Sequence, residues 1–136
     1  MLKELREEFN LTILLITHNI GLVAELADRV AVMYAGRLAE IAEVHNLFDE
    51  PQHPYTQGLL RAVPNIRLND DDLYKMPGSP PNLVAPPPGC HFHPRCPKVM
   101  EICSQTASTI KETAPEHFVN CWLYQEQPQK AEGISQ

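Results

Sequence analysis

Two sets of residues in this chain have the types and spacing to do chemistry. His18 stands directly after Thr17 at the end of the apolar run Leu11–Ile16, and four cysteines, Cys90, Cys96, Cys103 and Cys121, follow in the second half. A histidine at the C-terminal mouth of a buried strand sits where α/β sheets keep their ligands. Its ring donates a directed hydrogen bond to developing negative charge near neutral pH. From spacing alone the plainer reading is a half-buried histidine capping the next helix. The cysteines are separated by five, six and seventeen residues. Four thiolates drawn from loop-rich sequence can enclose one soft metal centre. A structural zinc usually draws on cysteine pairs with about two to four intervening residues. No such pair occurs, although His91, His93 and His117 are available as substitute ligands. Disulfides require an oxidising compartment, and the charged start MLKELREEFN lacks the apolar core of a signal peptide. An iron–sulfur cluster held by all four cysteines tolerates wider loops. On spacing alone these readings stay open.

The elements that position these residues are legible in part. Leu2, Leu5 and Phe9 recur at helical spacing, with Asn10 as a left-handed stop. Leu11–Thr17 is a continuous apolar run, the pattern of a strand covered on both faces in a parallel sheet. Ile20, Val23, Ala24 and Ala27 give one face of a helix. Arg29–Tyr34 and Arg37–Ala42 read as strands joined through Ala35-Gly36, with Gly36 at positive φ. Val44–Phe48 predicts a short helix, and Pro54 opens another that ends at Leu60 or Val63. Beyond residue 64 periodicity fades. Eight of the thirteen prolines (Pro77, Pro80, Pro81, Pro86, Pro87, Pro88, Pro94 and Pro97) fall in one short stretch, where they forbid regular ladders. Trp122-Leu123-Tyr124 is the last apolar cluster, and residues 125–136 read as a polar, disordered tail.

Composition bounds the function classes. The chain has 136 residues, 43% hydrophobic and 21% charged, with a formal charge of −6. That balance argues against nucleic-acid binding, which normally needs a basic face. No run approaches the ~18 apolar residues of a membrane span. A cytoplasmic location is the default expectation, and there cysteines serve metals more often than disulfides. The first ~50 residues would bury too little surface to offset their chain entropy. The Leu11–Thr17 strand would also have unpaired edges. The expectation is a sheet completed by sequence upstream of Met1.

The stretch ILLITHNIGLVAELADRVAVMYAGRLAE at residues 13–40 resembles the switch-histidine segment of ABC transporter ATPases. HPYTQGLL at His53–Leu60, PGSPP at Pro77–Pro81 and PPGCHFHPRCP at Pro87–Pro97, followed by Cys103 and Cys121, resemble the C-terminal extension of the dipeptide and oligopeptide importers within that family. The resemblance implies an α/β fold: residues 1–50 as the C-terminal part of a RecA-like ABC ATPase domain, residues 51–124 as an irregular, proline-rich, cysteine-stapled extension. It implies ATP and Mg²⁺ as cofactors of the complete subunit, with His18 contacting the γ-phosphate and helping to hold the attacking water. Relatives commonly carry Asp after this histidine, and here the residue is Asn19. The resemblance also implies a 4Fe–4S cluster on Cys90, Cys96, Cys103 and Cys121; the residues themselves keep zinc as the alternative and offer Arg95 to offset the charge. Implied partners are a second ABC ATPase subunit, membrane permease subunits and, indirectly, a peptide-binding protein, on the cytoplasmic face of the membrane and without nucleic acid. No GxxxxGK[ST] phosphate loop occurs in these residues. The chain alone is therefore expected not to hydrolyse ATP. The rival reading is a free-standing cytoplasmic iron–sulfur or zinc interaction module built on residues 51–124.

Overall fold

The computed structural model describes residues 2–63 and 75–126. Helix α1 (Leu2–Phe9) ends at Asn10, whose φ of 49° is the left-handed stop its sequence predicts. Helix α2 (Ile20–Leu26) starts at Asn19, whose side chain accepts the Leu22 N–H. Strands β1 (Arg29–Tyr34) and β2 (Arg37–Glu43) form an antiparallel hairpin. Ala35 and Gly36 both take positive φ there, 47° and 77°, which matches the twist of a two-residue turn to that of its strands. Helix α3 (Val44–Asp49) is capped by the Glu43 side chain, which accepts the His45 and Asn46 N–H groups.

Leu11–Thr17 departs from expectation, because no strand forms there. Leu14 and Ile16 are 87% and 88% exposed. A fully buried strand needs a ladder on both edges, and no described strand lies beside this run. The parallel sheet predicted around it is likewise not among the described elements. Instead the run borders an open, largely apolar groove of ≈ 1310 Å³, shared with α1, α2, β1 and α4 (Pro54–Arg61).

The sheet that does form was not predicted in the second half of the chain. Strands β3 (Lys111–Ala114) and β4 (His117–Val119) make a second hairpin, turning at Pro115-Glu116 with Glu116 at φ 58°. β4 then pairs with β2 through Glu40↔Val119 and Ile41↔Phe118. The result is one four-stranded antiparallel sheet in the order β1-β2-β4-β3, crossing residue 50. The two short strands escaped notice because ETAPEHFV has neither sustained alternation nor a glycine turn. The core is small: Val32, Ala39, Ala42 and Leu47 are buried, with Val30, Tyr55 and Leu59 packed against them. Between the helices and the second hairpin, a 3₁₀ turn (His93–Arg95) and helix α5 (Glu101–Gln105) are the regular pieces, and Trp122–Tyr124 forms a closing 3₁₀ turn. Gln125, placed in the tail by its sequence, hydrogen-bonds Thr109. Most of the predicted tail, residues 127–136, and residues 64–74 of the proline-rich stretch lie outside the described residues.

Helix α4 has Pro54 in its first turn, as predicted, but its cap is His53. The His53 Nδ1 accepts the Tyr55 N–H at 3.0 Å. Accepting that bond requires Nδ1 to be unprotonated, so the cap selects the neutral ring. Burial is the main cause that pulls the His53 pKa down from 6.5 to about 4, against smaller upward pulls from Glu40 and Asn120. Because the folded value lies below the unfolded one, the stabilisation is complete above pH 6.5 and is lost as pH falls through about 4. The linked free energy is about 3 kcal/mol. Urea unfolding at pH 7 and pH 4 is expected to show that loss in the wild type. In His53→Asn, which keeps an acceptor at the cap and cannot titrate, the loss is expected to be smaller by that amount. An identical pH slope in the two proteins would contradict this role.

Candidate functional site

His18 is exposed on the border of the apolar groove, beside Thr17, whose Oγ1 accepts the Asn19 N–H at 3.0 Å. None of the residues lining that groove is a cysteine. The two predicted sites are therefore separate features of the fold.

The structure brings together the segments that carry Cys90 and Cys103. Cys103 and Cys121 are buried, Cys90 and Cys96 half-buried, and all four are free thiols. The backbone brings the loops into contact: the Cys90 N–H donates to the Cys103 carbonyl at 2.8 Å. Gly89 makes that approach feasible. Its φ is 69°, and a Cβ there would stand 2.3 Å from the Cys103 carbonyl oxygen, inside any tolerable contact. Pro94 and the 3₁₀ turn then place Cys96. The Cys90 carbonyl accepts the His93 N–H at 3.0 Å and bonds His93 Nδ1 at 2.8 Å, while the Cys96 N–H donates to the His93 carbonyl at 3.3 Å.

Burial and nearby charges act on three of the thiols. Burial is the leading cause that raises the pKa of Cys90, Cys96 and Cys121, the last to about 11. The neighbouring thiols add to it: Cys103 acts on Cys90, Cys90 and Cys103 on Cys96, and all three others on Cys121. Backbone N–H groups oppose the rise, those of Phe92 and His93 at Cys90, of Lys98 at Cys96 and of Leu123 at Cys121. The amide two residues on from each of these three cysteines thus favours its thiolate form. The cations that reach them are Arg37, at Cys90, and Lys98, at Cys96. Arg95, expected to balance the charge, is spent on the Pro77 carbonyl at 2.8 Å and the Tyr34 hydroxyl at 3.3 Å.

Among the described residues no three His, Cys, Asp or Glu side chains form a group that could hold a metal ion, so the stapling of the extension is not shown. The histidines considered as zinc ligands have other partners: His91 Nδ1 bonds the Ala35 carbonyl at 2.8 Å, His93 the Cys90 carbonyl, and His117 Nε2 the Glu40 carboxyl group at 2.6 Å. What fits a metal centre is the donor set itself. Four soft ligands that repel one another as thiolates gain from a shared cation, whose binding displaces their protons.

Sequence reasoning missed the residues that hold this region to the sheet. Glu40 is fully buried. Its carboxylate accepts the Gln52 N–H at 2.8 Å and the His53 N–H at 2.9 Å, besides its bond to His117. Tyr34, Tyr55, Phe92 and the His53 ring pack together, with Tyr34 and Tyr55 centroids 4.6 Å apart and Phe92 5.1 Å from Tyr34. Phe92 lies between Cys90 and Cys96, so this cluster fastens the cysteine loop to α4. The available signal for Glu40 was an acidic residue inside the apolar strand pattern LAEIA, which reads as solvent-facing until its partners are known.

Comparisons place this geometry. Residues 39–103 match the family described as the oligopeptide/dipeptide transporter C-terminal region. The chain is 47% identical over 132 residues to the dipeptide transport ATP-binding protein DppD of Bacillus subtilis, covering 97% of this chain and 38% of that protein. It is 45% identical over 127 residues to the oligopeptide transport ATP-binding protein AppF of the same organism, covering 91% of this chain and 39% of that protein. The oligopeptide transport ATP-binding protein OppD of Escherichia coli is 45% identical over 122 residues, 90% of this chain and 36% of that protein. The chain thus spans well under half the length of the relatives it matches. By these matches it belongs with the ATP-binding proteins of dipeptide and oligopeptide ABC transporters, and it corresponds to their C-terminal part.

Proposed function

We propose that this chain works as the C-terminal part of the ATP-hydrolysing subunit that powers dipeptide or oligopeptide import through an ABC transporter. The observation that carries the reading is similarity over 97% of the chain to one such protein, a span that includes nearly all of the sequence around His18 and the four cysteines. In this role His18 donates to the γ-phosphate of ATP and orients the attacking water; its exposed ring at the groove border is open to such a ligand. The phosphate-cradling loop, the acidic residue that holds Mg²⁺ and the signature loop are not among these 136 residues. Catalysis of phosphoryl transfer is positioning plus charge stabilisation. The partners are a second ATPase subunit and membrane permeases, with a peptide-binding protein acting upstream, at the cytoplasmic face of the membrane. No described helix is long and apolar enough to cross a membrane. The rival reading, a free-standing metal module in residues 51–124, is disfavoured by the pairing of β4 with β2 and by the Glu40 contacts across residue 50.

The further part of the reading is that Cys90, Cys96, Cys103 and Cys121 hold a 4Fe–4S cluster. Support comes from the choice of four soft donors and from the close backbone approach at Gly89, which sets the Cys90 segment against Cys103. A bound cluster supplies a cross-link among loops that otherwise share little core. Phe92, almost fully buried, shields the site from water.

Three outcomes are expected. Affinity capture of the tagged chain from solubilised membranes of its own host recovers a second ATP-binding protein and multi-span permeases; capture of neither contradicts the transporter role. The purified chain shows no Mg·ATP turnover above blank, and robust turnover abolished by His18→Ala would overturn that. Anaerobic purification yields iron and acid-labile sulfide in near-equal amounts, and Gly89→Ala loses both. A colourless protein with stoichiometric zinc would rule out the cluster.

A further inference from the structure

We propose that Leu11–Ile16 is an interaction strand whose partner is a second copy of this chain, the two runs pairing antiparallel across a two-fold axis at Leu14. The inference goes beyond the transporter reading and does not depend on it. The run is apolar but for Thr12, and it carries no charge, proline or glycine. All six residues are exposed. Their exposure alternates: Leu11, Ile13 and Leu15 stand at 50%, 43% and 38%, Leu14 and Ile16 at 87% and 88%. A period of two is that of an extended chain with one side turned to the protein and the other bare. The backbone is as unpartnered as the bare side. The Leu11 N–H still donates to the Arg6 carbonyl at 3.0 Å, and the Asn19 N–H turns back to Thr17 Oγ1. Between those points, among the described residues, no backbone bond reaches Thr12–Ile16. β1 lines the same groove as the edge strand of its sheet, and it does not pair with the run either. An unpaired apolar edge of this kind is a template for another strand.

The occupant that fits this strand is the strand itself. Six-residue segments of strong β-propensity, without charge or proline, pair with their own copies. Antiparallel pairing of a segment with itself is isologous and closes on a two-fold, which stops at two chains. The formal charge of −6 on each copy opposes growth beyond that. The alternation sets the register. A slip of one residue would place every bare side chain opposite a groove-facing one. Matching bare with bare, and keeping Thr12, Leu14 and Ile16 all within the ladder, puts Leu14 opposite the second copy's Leu14. Thr12 then faces the second copy's Ile16, and Ile13 its Leu15. Side chains opposed in this way stand about 5 Å apart, close enough to cover one another.

The test is sedimentation equilibrium of the purified full chain over a wide concentration range. The wild type is expected to pass from one chain to two as concentration rises, and no further. Leu14→Lys sets two like charges on the axis and is expected to weaken association about tenfold or more. Because Leu14 is so exposed, the urea midpoint of that variant at low concentration is expected to match the wild type. Thr12→Lys and Ile16→Glu read the register. Each alone is expected to weaken the dimer, and the double variant to restore it, since each new lysine then faces the second copy's new glutamate. Positions 12 and 16 of one chain lie about 13 Å apart along a strand, too far for the pair to form within a single copy. A chain that stays monomeric at every concentration overturns the proposal and leaves the run to a different polypeptide. A dimer indifferent to Leu14→Lys, or association that grows without limit, overturns it as well. Failure of the double variant to restore the dimer overturns the axis at Leu14.

Discussion

The described structure depends on a buried carboxylate. Taking Glu40 out of water is costly unless every lone pair it exposes finds a donor. Those donors come from residues 52, 53 and 117, so the charge can be buried only when β2, the start of α4 and β4 are all in place. Apolar burial is too thin here to impose that arrangement alone, since the core cluster has four buried members. Directional bonds do what a large core does elsewhere: they leave few alternatives. The same bonds hold His53 at the head of α4, where burial keeps its ring neutral, and the Asn120 N–H on the Ala39 carbonyl fixes the approach to Cys121.

The two ends of the molecule differ for the same reason. In the second half, polar contacts and the close passage of Gly89 under Cys103 hold irregular, proline-rich loops in place. In the first, α1 has no buried residue, and the apolar side chains of Leu11–Ile16 face outward. An ion pair from Arg6 to Asp28 at 3.0 Å links α1 to the start of the hairpin, but an exposed pair contributes little. The histidine assigned to phosphate chemistry thus sits in the loosest part of the fold, and the thiols in a firmly bonded one.

Local chemistry was legible in the sequence. Asn10, the Ala35-Gly36 turn and Pro54 each dictate backbone shape within a residue or two, and they do so as expected. What was not legible is pairing at a distance. Nothing in ETAPEHFV announces a hairpin, because its stability comes from β2, more than seventy residues earlier. Glu40 and His117 read separately as a surface acid and a candidate ligand, and only their contact reveals a junction. Leu11–Thr17 failed in the opposite sense: its pattern encodes burial between neighbours that the described residues do not provide.

The account makes the hairpin and the cysteine-bearing segment one cooperative unit joined by Glu40. Native-state hydrogen exchange tests this directly, read at the amides of Gln52, His53 and Asn120 and at those of β1 and β2. The account predicts that all of them open together, with the same free energy and the same denaturant dependence. If Gln52, His53 and Asn120 instead exchange through a cheaper, separate opening while the β1–β2 amides stay protected, the carboxylate does not hold the two halves together.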